Sequence, residues 1–367
     1  MFAVCSVNRS ARLRLKCCIC GPSCIFSYRK MHLVRVLNFA ARIIRNITLM
    51  RSELAEIPKE VVGLPVVHHH GYVCDLPKGH RFPMPKFHKV FEILLNDGII
   101  SLKKQVINPK QVSSNIACCV HTADYVDKFF NGRTTEEEQR VTGFTWSPGL
   151  ASRVKYETGG TLLAAALALE RGLACSTAGG THHAFPDRGT GFCLINDLAV
   201  TAKWFLDQQR IARVLIVDLD VHQGDGTAFI FRNTKDVFTF SMHCKKNFPF
   251  RKQKSDLDIE LDTGTSDAEF MMQLCESLPY LLSTFKPDLV LYDAGVDPHK
   301  DDELGKLQLT DKGLYERDFY VMDTVIKKGI PCATVIGGGY SRNIDVLARR
   351  HSIIHRAATS VWLSNLL

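Results

Sequence analysis

Residues 213–226 read Arg-Val-Leu-Ile-Val-Asp-Leu-Asp-Val-His-Gln-Gly-Asp-Gly, and this stretch is the most informative part of the sequence. Its apolar run at 214–217 predicts a buried strand that ends in a glycine-rich turn. Side chains alternate between the faces of a strand, so Asp218, Asp220 and His222 are predicted to point the same way. Two carboxylates and an imidazole are costly to bury together unless a cation lies among them. The stretch therefore indicates a metal site, in preference to a surface cluster of Asp and His in a loop.

The segments on either side of this stretch alternate between strand and helix patterns. Strands are predicted over 65–70, 173–178, 236–242, 288–292 and 331–336, and helices over 160–170, 197–208, 266–285, 310–328 and 343–362. This alternation predicts an α/β fold, formed by a single domain over residues 61–367, with a mostly parallel central sheet flanked by helices.

Polar residues follow the predicted strands at the points where they end. They are His182 with His183, Asp218 with Asp220 and His222, Asp297, and Tyr340. Sites in open α/β sheets form at the carboxyl ends of the strands. Four separate segments therefore deliver reactive side chains to one edge of the sheet, which is the strongest argument from the residues for an enzyme.

The basic charge of the chain lies in its first residues. Of the 46 Lys and Arg residues, ten occur in residues 1–51, where there is no Asp or Glu. The rest of the chain is nearly neutral, because the other 36 basic residues face all 38 acidic ones. The net charge of +8 therefore comes from the N-terminal residues, and we expect no direct nucleic-acid binding by the folded body.

Residues 1–60 are predicted to be a basic N-terminal extension. Their arginines, hydroxyl residues and interspersed apolar residues are typical of a transit peptide, which predicts a mitochondrion or chloroplast. A disordered extension, or a later start at Met31 or Met50, would leave a nuclear or cytoplasmic location open. No membrane span is predicted, because arginines interrupt each apolar run. Five of the thirteen cysteines lie in this extension and the other eight are scattered, which indicates a reducing compartment.

The residues at the strand ends fit metal-assisted hydrolysis of an amide. Asp220, His222 and Asp297 supply the three ligands that a catalytic zinc takes, with a position left for water. Zinc lowers the pKa of that water to about 7, so that a nucleophile exists at neutral pH.

Two adjacent histidines are candidates for acid–base work. His182 and His183 can serve as general base and acid if a carboxylate fixes the tautomer of each ring. Asp218 and Asp225 are the candidate carboxylates. The spacing leaves open which carboxylate serves which histidine. Tyr340 follows three glycines and can place its hydroxyl against a developing oxyanion.

These motifs resemble the zinc-dependent histone deacetylases of the arginase–deacetylase fold. The resemblance covers residues from about 65 to the C-terminus and rests on five motifs in order: Gly179-Gly-Thr-His-His-Ala184, Gly191-Phe-Cys193, Asp218-Leu-Asp-Val-His-Gln-Gly-Asp225, Ala294-Gly-Val-Asp297 and Gly337-Gly-Gly-Tyr340. The stretches 79–87 and 187–191 look like the class IV branch, as in a plant-type member with an extension.

The resemblance implies the metals of the site. Asp220, His222 and Asp297 would bind one Zn²⁺ per chain. Asp218 and Ser241 match a structural K⁺ site of the family.

The resemblance also implies the catalytic roles. His183, backed by Asp225, would be the general base and acid. His182, backed by Asp218, would be its electrostatic neighbour, and Tyr340 would polarise the acyl carbonyl.

For the substrate tunnel, the resemblance implies aromatic walls. Gly191 and Phe192 would lie on one side, with Phe248 or Phe250 opposite. Arg81 matches a position near the exit route for acetate.

The predicted function is hydrolysis of N-acyl-lysine in a histone or another protein. Alternatives are an acetylpolyamine or other small-amide hydrolase, a long-chain deacylase, and an inactive acyl-lysine-binding scaffold. Three features depart from the usual family pattern: Gln223, where many members have a second His, the basic loop over 247–254, and the transit-like N-terminal extension. The oligomeric state is left open.

Overall fold

A computed structural model of the chain describes Leu54 and residues 61–367. The predicted extension over 1–60, with its transit-peptide interpretation, lies outside the described residues except for Leu54. Within the described part, no helix combines the length and the apolar character needed to cross a membrane.

The centre of the fold is an eight-stranded sheet in which every pairing is parallel. In chain order the strands are β1 (Val66–Val67), β2 (Val106–Ile107), β3 (Leu173–Ser176), β4 (Val214–Asp218), β5 (Val237–Cys244), β6 (Leu257–Leu261), β7 (Leu289–Asp293) and β8 (Cys332–Val335). Their order across the sheet is β2-β1-β3-β8-β7-β4-β5-β6. The predicted α/β class and parallel sheet are confirmed.

Helices connect the strands and cover the sheet. In chain order they are α1 (Lys86–Asn96), α2 (Leu102–Gln105), α3 (Ser114–Ala117), α4 (Ala123–Phe130), α5 (Glu136–Thr142), α6 (Pro148–Arg171), α7 (Asp197–Asp207), α8 (Asp225–Phe231), α9 (Asp267–Phe285), α10 (Asp311–Lys327) and α11 (Ile344–Ser364).

Alternate residues of β4 belong to two hydrophobic cores. Leu215 and Val217 pack in the core shared with α1, α9, α10 and α11. Val214 and Ile216 pack in the core shared with α6 and α7. Both faces of the strand are buried, which is why its sequence is a continuous apolar run and not an alternation.

Several element boundaries differ from the sequence predictions. Helix α6 begins at Pro148, well before the predicted 160, because Ser147 caps it by accepting a hydrogen bond from the Leu150 amide at 3.0 Å. The strand predicted over 65–70 is only two residues long and leads into a 3₁₀ turn over His70–Tyr72. Strands β2 and β6 were not predicted, since β2 is equally short and β6 carries Asp258 and Glu260 among its apolar residues.

The prediction that Asp218, Asp220 and His222 share one face of a strand is wrong. Strand β4 ends at Asp218, and the chain then bends, so the alternation of a strand does not extend to Asp220 and His222. The predicted turn at 224–226 is also the start of helix α8.

A buried arginine on α10 holds the loops that follow β4 and β7. The Arg317 guanidinium donates to the Leu219 carbonyl at 3.2 Å and to the Gly295 carbonyl at 2.8 Å. It also pairs with Asp318 at 2.8 Å, and Asp318 accepts a hydrogen bond from the Tyr292 hydroxyl at 2.6 Å. Arg317 thus fixes the backbone immediately beside Asp220 and Val296.

Replacing Arg317 by Ala should lower the free energy of unfolding by about 3–5 kcal/mol, since the Asp318 carboxylate would remain buried without its partner. Denaturant unfolding measures this loss. Lys312→Ala on the same helix is the control, because that side chain is 82% exposed and its loss should cost less than about 0.5 kcal/mol. An Arg317→Ala protein as stable as the Lys312→Ala protein would contradict this account of the loops.

Candidate active site

The turn after β3 delivers the paired histidines to the carboxyl edge of the sheet. Gly179 and Gly180 both have positive φ, at 96° and 92°, a conformation that favours glycine. The buried Asp197 carboxylate accepts hydrogen bonds from the amides of Gly180 at 3.0 Å and Thr181 at 2.7 Å. Asp197 therefore fixes the turn that presents His182 and His183.

Asp220, His222 and Asp297 meet in the buried centre of this edge. The His222 Nδ1 atom lies 3.0 Å from Asp220 Oδ1 and 3.1 Å from Asp297 Oδ2. Backbone amides hold the other carboxylate oxygens: Gly338 donates to Asp220 Oδ2 at 2.7 Å, and Val221 donates to Asp297 Oδ1 at 2.9 Å. The three ligand atoms lie within 4.8 Å of one another, so the donor set is already assembled.

The electrostatics of this group fit a divalent cation. Burial alone lowers the pKa of His222, but hydrogen bonds to Asp220 and Asp297 outweigh it and raise that pKa to about 10. Burial, followed by the Asp220 charge, raises the pKa of Asp297 to about 7. Two nearby carboxylates and one imidazole with no side chain of Lys or Arg bonded to them are the donors that zinc takes in catalytic sites. These residues fit the implied metal.

Each of the paired histidines has its own carboxylate. His182 Nδ1 lies 2.7 Å from Asp218 Oδ2, and His183 Nδ1 lies 2.6 Å from Asp225 Oδ1. The structure therefore supplies the pairing that the spacing left open. The two imidazole rings are 4.1 Å apart, and His183 is 5.9 Å from the His222 ring.

The environments of the two histidines drive their pKa values apart. Burial, followed by the charge of His182, lowers the pKa of His183 to about 4. Burial acts in the same direction on His182, but Asp218 and Asp220 outweigh it and raise the pKa of His182 well above its usual value. At neutral pH one ring is thus suited to accept a proton and its neighbour to carry a positive charge.

Asp293 is a member of the site that sequence reasoning missed. It is fully buried at the end of β7, and its Oδ2 atom lies 3.9 Å from His182 Nδ1. Neither of its carboxylate oxygens has a hydrogen-bond partner among the described residues, and burial, followed by the Asp218 charge, raises its pKa well above the usual range. Its position as the last residue of a strand that leads to Asp297 was the signal available in the sequence.

Tyr340 lies over the metal-ligand group on the glycine turn after β8. Its backbone amide donates to Asp302 Oδ2 at 2.7 Å, and its ring is 6.3 Å from the His222 ring. Asp302 therefore anchors Tyr340, and it also accepts the Leu304 and Gly305 amides of its own loop.

The buried cation near this turn is Lys86 and not Arg81. The Lys86 ammonium donates to the carbonyls of Gly337 at 3.2 Å and Gly339 at 3.4 Å, whereas Arg81 is exposed. Burial lowers the pKa of Lys86 to about 8. The place of Arg81 near an exit route for acetate stays a prediction.

Two aromatic side chains border the approach to the site. The Phe248 ring is 4.9 Å from His183, and the Phe192 ring is 5.9 Å from Tyr340. A Cβ atom on Gly191 would lie 2.8 Å from His183 and 3.0 Å from Phe248, so a side chain there would close the space between them. Phe250, the alternative for the second wall, is 92% exposed and faces solvent.

The remaining predicted residue is Ser241, proposed with Asp218 for potassium. The two residues are register partners on neighbouring strands β5 and β4. Ser241 Oγ lies 3.0 Å from His243 Nδ1. The potassium site stays a prediction.

Gln223, the departure next to His222, ties the metal-ligand segment to the loop that bears Phe248. Its amide oxygen accepts the Gln253 N–H at 2.8 Å, and its amide nitrogen donates to the Gln253 carbonyl at 2.8 Å. The same nitrogen donates to Asp258 at 2.8 Å, and the side chain is almost wholly buried. Gln223 is therefore a two-point clamp, a role that its position in the sequence did not disclose.

His121 supports the segment that carries the histidines and Phe192. Its Nδ1 atom lies 2.9 Å from the Phe185 carbonyl, and its Nε2 accepts the Asn196 amide at 3.0 Å. Only the neutral ring with its proton on Nδ1 satisfies both contacts. Burial lowers the pKa of His121 to about 4.

Comparison with known proteins identifies the relatives of this chain. The histone deacetylase domain family matches residues 80–356. An uncharacterized protein of the cyanobacterium Picosynechococcus sp. is 52% identical over 301 residues, covering 82% of this chain and 100% of that protein. Histone deacetylase 2 of Arabidopsis thaliana is 31% identical over 277 residues, and the match covers 73% of this chain and 71% of that protein. A crystal structure of a deacetylase homologue from Aquifex aeolicus superposes with a TM-score of 0.68 at 25% identity, over 82% of this chain and 84% of that one.

Replacing Gln223 by Ala should raise KM for an amide substrate by about tenfold and change kcat less, because the loop bearing Phe248 loses both contacts to Gln253. Steady-state kinetics and the zinc content per chain measure the effect. Gln111→Ala is the control, since the Gln111 side chain is exposed and bonds to Ser152. Equal kinetics for the two variants would show that the clamp does not shape the site.

Acid should destabilise the fold through His121. Its folded-state pKa of about 4 lies below the unfolded value of about 6.5, so its contribution is complete above pH 6.5 and is lost as the pH falls toward 4. Between pH 8 and pH 5 this contribution should fall by about 2 kcal/mol. Unfolding of the wild type and of His121→Gln across this range tests it, with the exposed His88→Gln as control. The idea fails if the wild type and His121→Gln lose stability in parallel.

Proposed function

Since the chain belongs to the histone deacetylase domain family, we propose that it hydrolyses N-acyl-lysine in proteins with a zinc ion. The observation that carries this proposal is the buried Asp220, His222 and Asp297 group, set within reach of the Asp225-backed His183. An amide hydrolase needs both parts, a site for a Lewis acid and a base beside it.

Asp220, His222 and Asp297 would hold the zinc through two carboxylate oxygens and an imidazole nitrogen. The metal supplies activation of water and polarisation of the acyl carbonyl when bound. The amides of Gly338 and Val221 already orient the carboxylates, so little reorganisation accompanies binding.

His183 would move the proton of the reaction. Its low pKa leaves the ring neutral at pH 7, and Asp225 accepts the hydrogen bond from Nδ1, so Nε2 is free. Nε2 would take a proton from the attacking water and then give it to the departing lysine amine. His182, held cationic by Asp218, would stabilise negative charge that develops beside it.

Tyr340 would act on the acyl oxygen. Burial, followed by the charge of Asp297, raises the pKa of its hydroxyl well above the usual value, so it stays protonated and can donate a hydrogen bond. A donor aimed at the oxygen where charge develops strengthens as the tetrahedral intermediate forms.

The aromatic approach supports a lysine side chain as the substrate. Phe192, Gly191 and Phe248 border the approach to the site, and aromatic walls suit a long aliphatic stem. The proposed acyl group is acetyl.

The finer assignments rest on sequence features. The motif at 79–87 and Gln223 support a class IV-like member of the family, of the plant type. The basic extension supports import into a mitochondrion or chloroplast, with the nucleus and cytoplasm as alternatives, so the acylated partner is a histone or another protein according to compartment.

The test is hydrolysis of acetyl-lysine peptides, longer acyl-lysine peptides and acetylpolyamines by the full chain. Turnover should vanish with a chelator and return with Zn²⁺. His183→Ala should lower kcat by about 10²–10⁴-fold through loss of the base, and Tyr340→Phe by about 10²–10³-fold. His88→Ala, which removes an exposed imidazole, should leave turnover unchanged.

Stoichiometric zinc binding without turnover of any amide in this panel would contradict the proposal and favour a scaffold. Preference for acetylpolyamines over every peptide would retain the chemistry and replace the substrate.

A further inference from the structure

The loop after β5 carries positive charge to the mouth of the site. We propose that this loop, residues 245–254 and called the rim loop below, binds an acidic segment that flanks the acyl-lysine of the substrate protein. This inference rests on the proposed acyl-lysine hydrolysis and names the class of protein that presents the lysine.

The rim loop has five basic residues and no acidic one. Lys252 is structural, because its ammonium donates to the carbonyls of Asn247 at 2.7 Å and Pro249 at 2.8 Å. Lys245 is paired with Glu260 at 3.6 Å. Lys246, Arg251 and Lys254 are exposed and form no ion pair with the described residues, so their charges are available to a partner.

An exposed aromatic residue lies among these charges. Phe250 is 92% exposed, although it follows Phe248 by only two residues. Phe248 faces His183, so a substrate whose lysine passes Phe248 must bring its neighbouring residues to Phe250. Aromatic and Arg side chains are the residues that most often anchor protein contacts.

The loop is fixed in place before any substrate binds. Gln223 clamps Gln253 from both sides of its peptide, and the Ser255 amide donates to Asp258 at 2.8 Å. Lys252 closes the turn from inside. A surface that is already ordered loses little entropy on binding. The attraction between its charges and a partner is therefore not offset by the cost of ordering the loop.

The rim loop gives the Phe248 side of the mouth a positive charge. Lys306 adds a further cation there by donating to the Lys246 carbonyl at 3.0 Å. Complementarity therefore places acidic residues of the substrate on the Phe248 side and disfavours lysine-rich segments there.

The experiment compares acetyl-lysine peptides that differ only in flanking residues, with Asp, Ser or Lys on one side or the other, using the full chain. On the side of the acetyl-lysine that meets the rim loop, Asp should lower KM by about tenfold relative to Lys at low salt, with similar kcat. High salt should reduce this difference in KM. The variant Lys246→Glu, Arg251→Glu, Lys254→Glu should reverse the preference.

A matched control changes three exposed lysines elsewhere, Lys103→Glu, Lys104→Glu and Lys312→Glu, and should keep the preference for Asp. Phe250→Ser should raise KM for all the peptides alike. Equal KM values for Asp and Lys peptides, or a preference that the rim-loop variant leaves intact, would overturn the proposal.

The Ser-flanked peptide separates this inference from the proposed function. If it is hydrolysed by the wild type and by the rim-loop variant, the chemistry stands whatever the flanking preference. If no peptide is hydrolysed, fluorescence anisotropy of the labelled peptides still decides the docking question: tighter binding of Asp peptides that the rim-loop variant abolishes supports it. Tighter binding of a single-stranded oligonucleotide than of the Asp peptide would refute it.

Discussion

The structure depends on the cost of burying Asp220 and Asp297 side by side. Two carboxylates in a water-excluded interior repel each other, and His222 is the group that joins them. Backbone amides from two other segments complete their hydrogen bonds. A buried arginine, Arg317, holds the loops beside these residues through backbone carbonyls. A cation bound among these donors would remove the repulsion between the carboxylates. The atoms that destabilise the fold are therefore the same atoms that can bind a metal.

Around that centre, burial sorts groups of the same chemical type into different roles. His182 and His183 are adjacent in sequence and equally buried, yet the pKa of one is raised and that of the other lowered, because the carboxylates near them differ in number. Asp218 bonds to His182, while Asp293, close by, bonds to no partner and has a raised pKa. The protonation states thus follow from neighbours that lie far apart along the chain.

The sequence indicated the principal features of this site because they follow short-range rules. A strand-length apolar run followed by acids, histidines and a glycine turn marks the end of a parallel strand, and the sheet brings such ends together. The parts that escaped prediction depend on long-range contacts. Lys86 donates to carbonyls about 250 residues away, Gln223 clamps a loop 30 residues on, and Asp293 looked like an ordinary strand end.

By itself the sequence determined the fold class, the parallel sheet and the set of segments that supply reactive residues, since periodicity and turn residues are local properties of the chain. The three-dimensional structure was needed to show that the alternation after Asp218 breaks, and that Phe250 faces solvent while Phe248 faces His183. The reason is physical: hydrogen bonds, burial and the pKa values that follow depend on which distant groups come within a few ångströms, and spacing along the chain does not encode those distances.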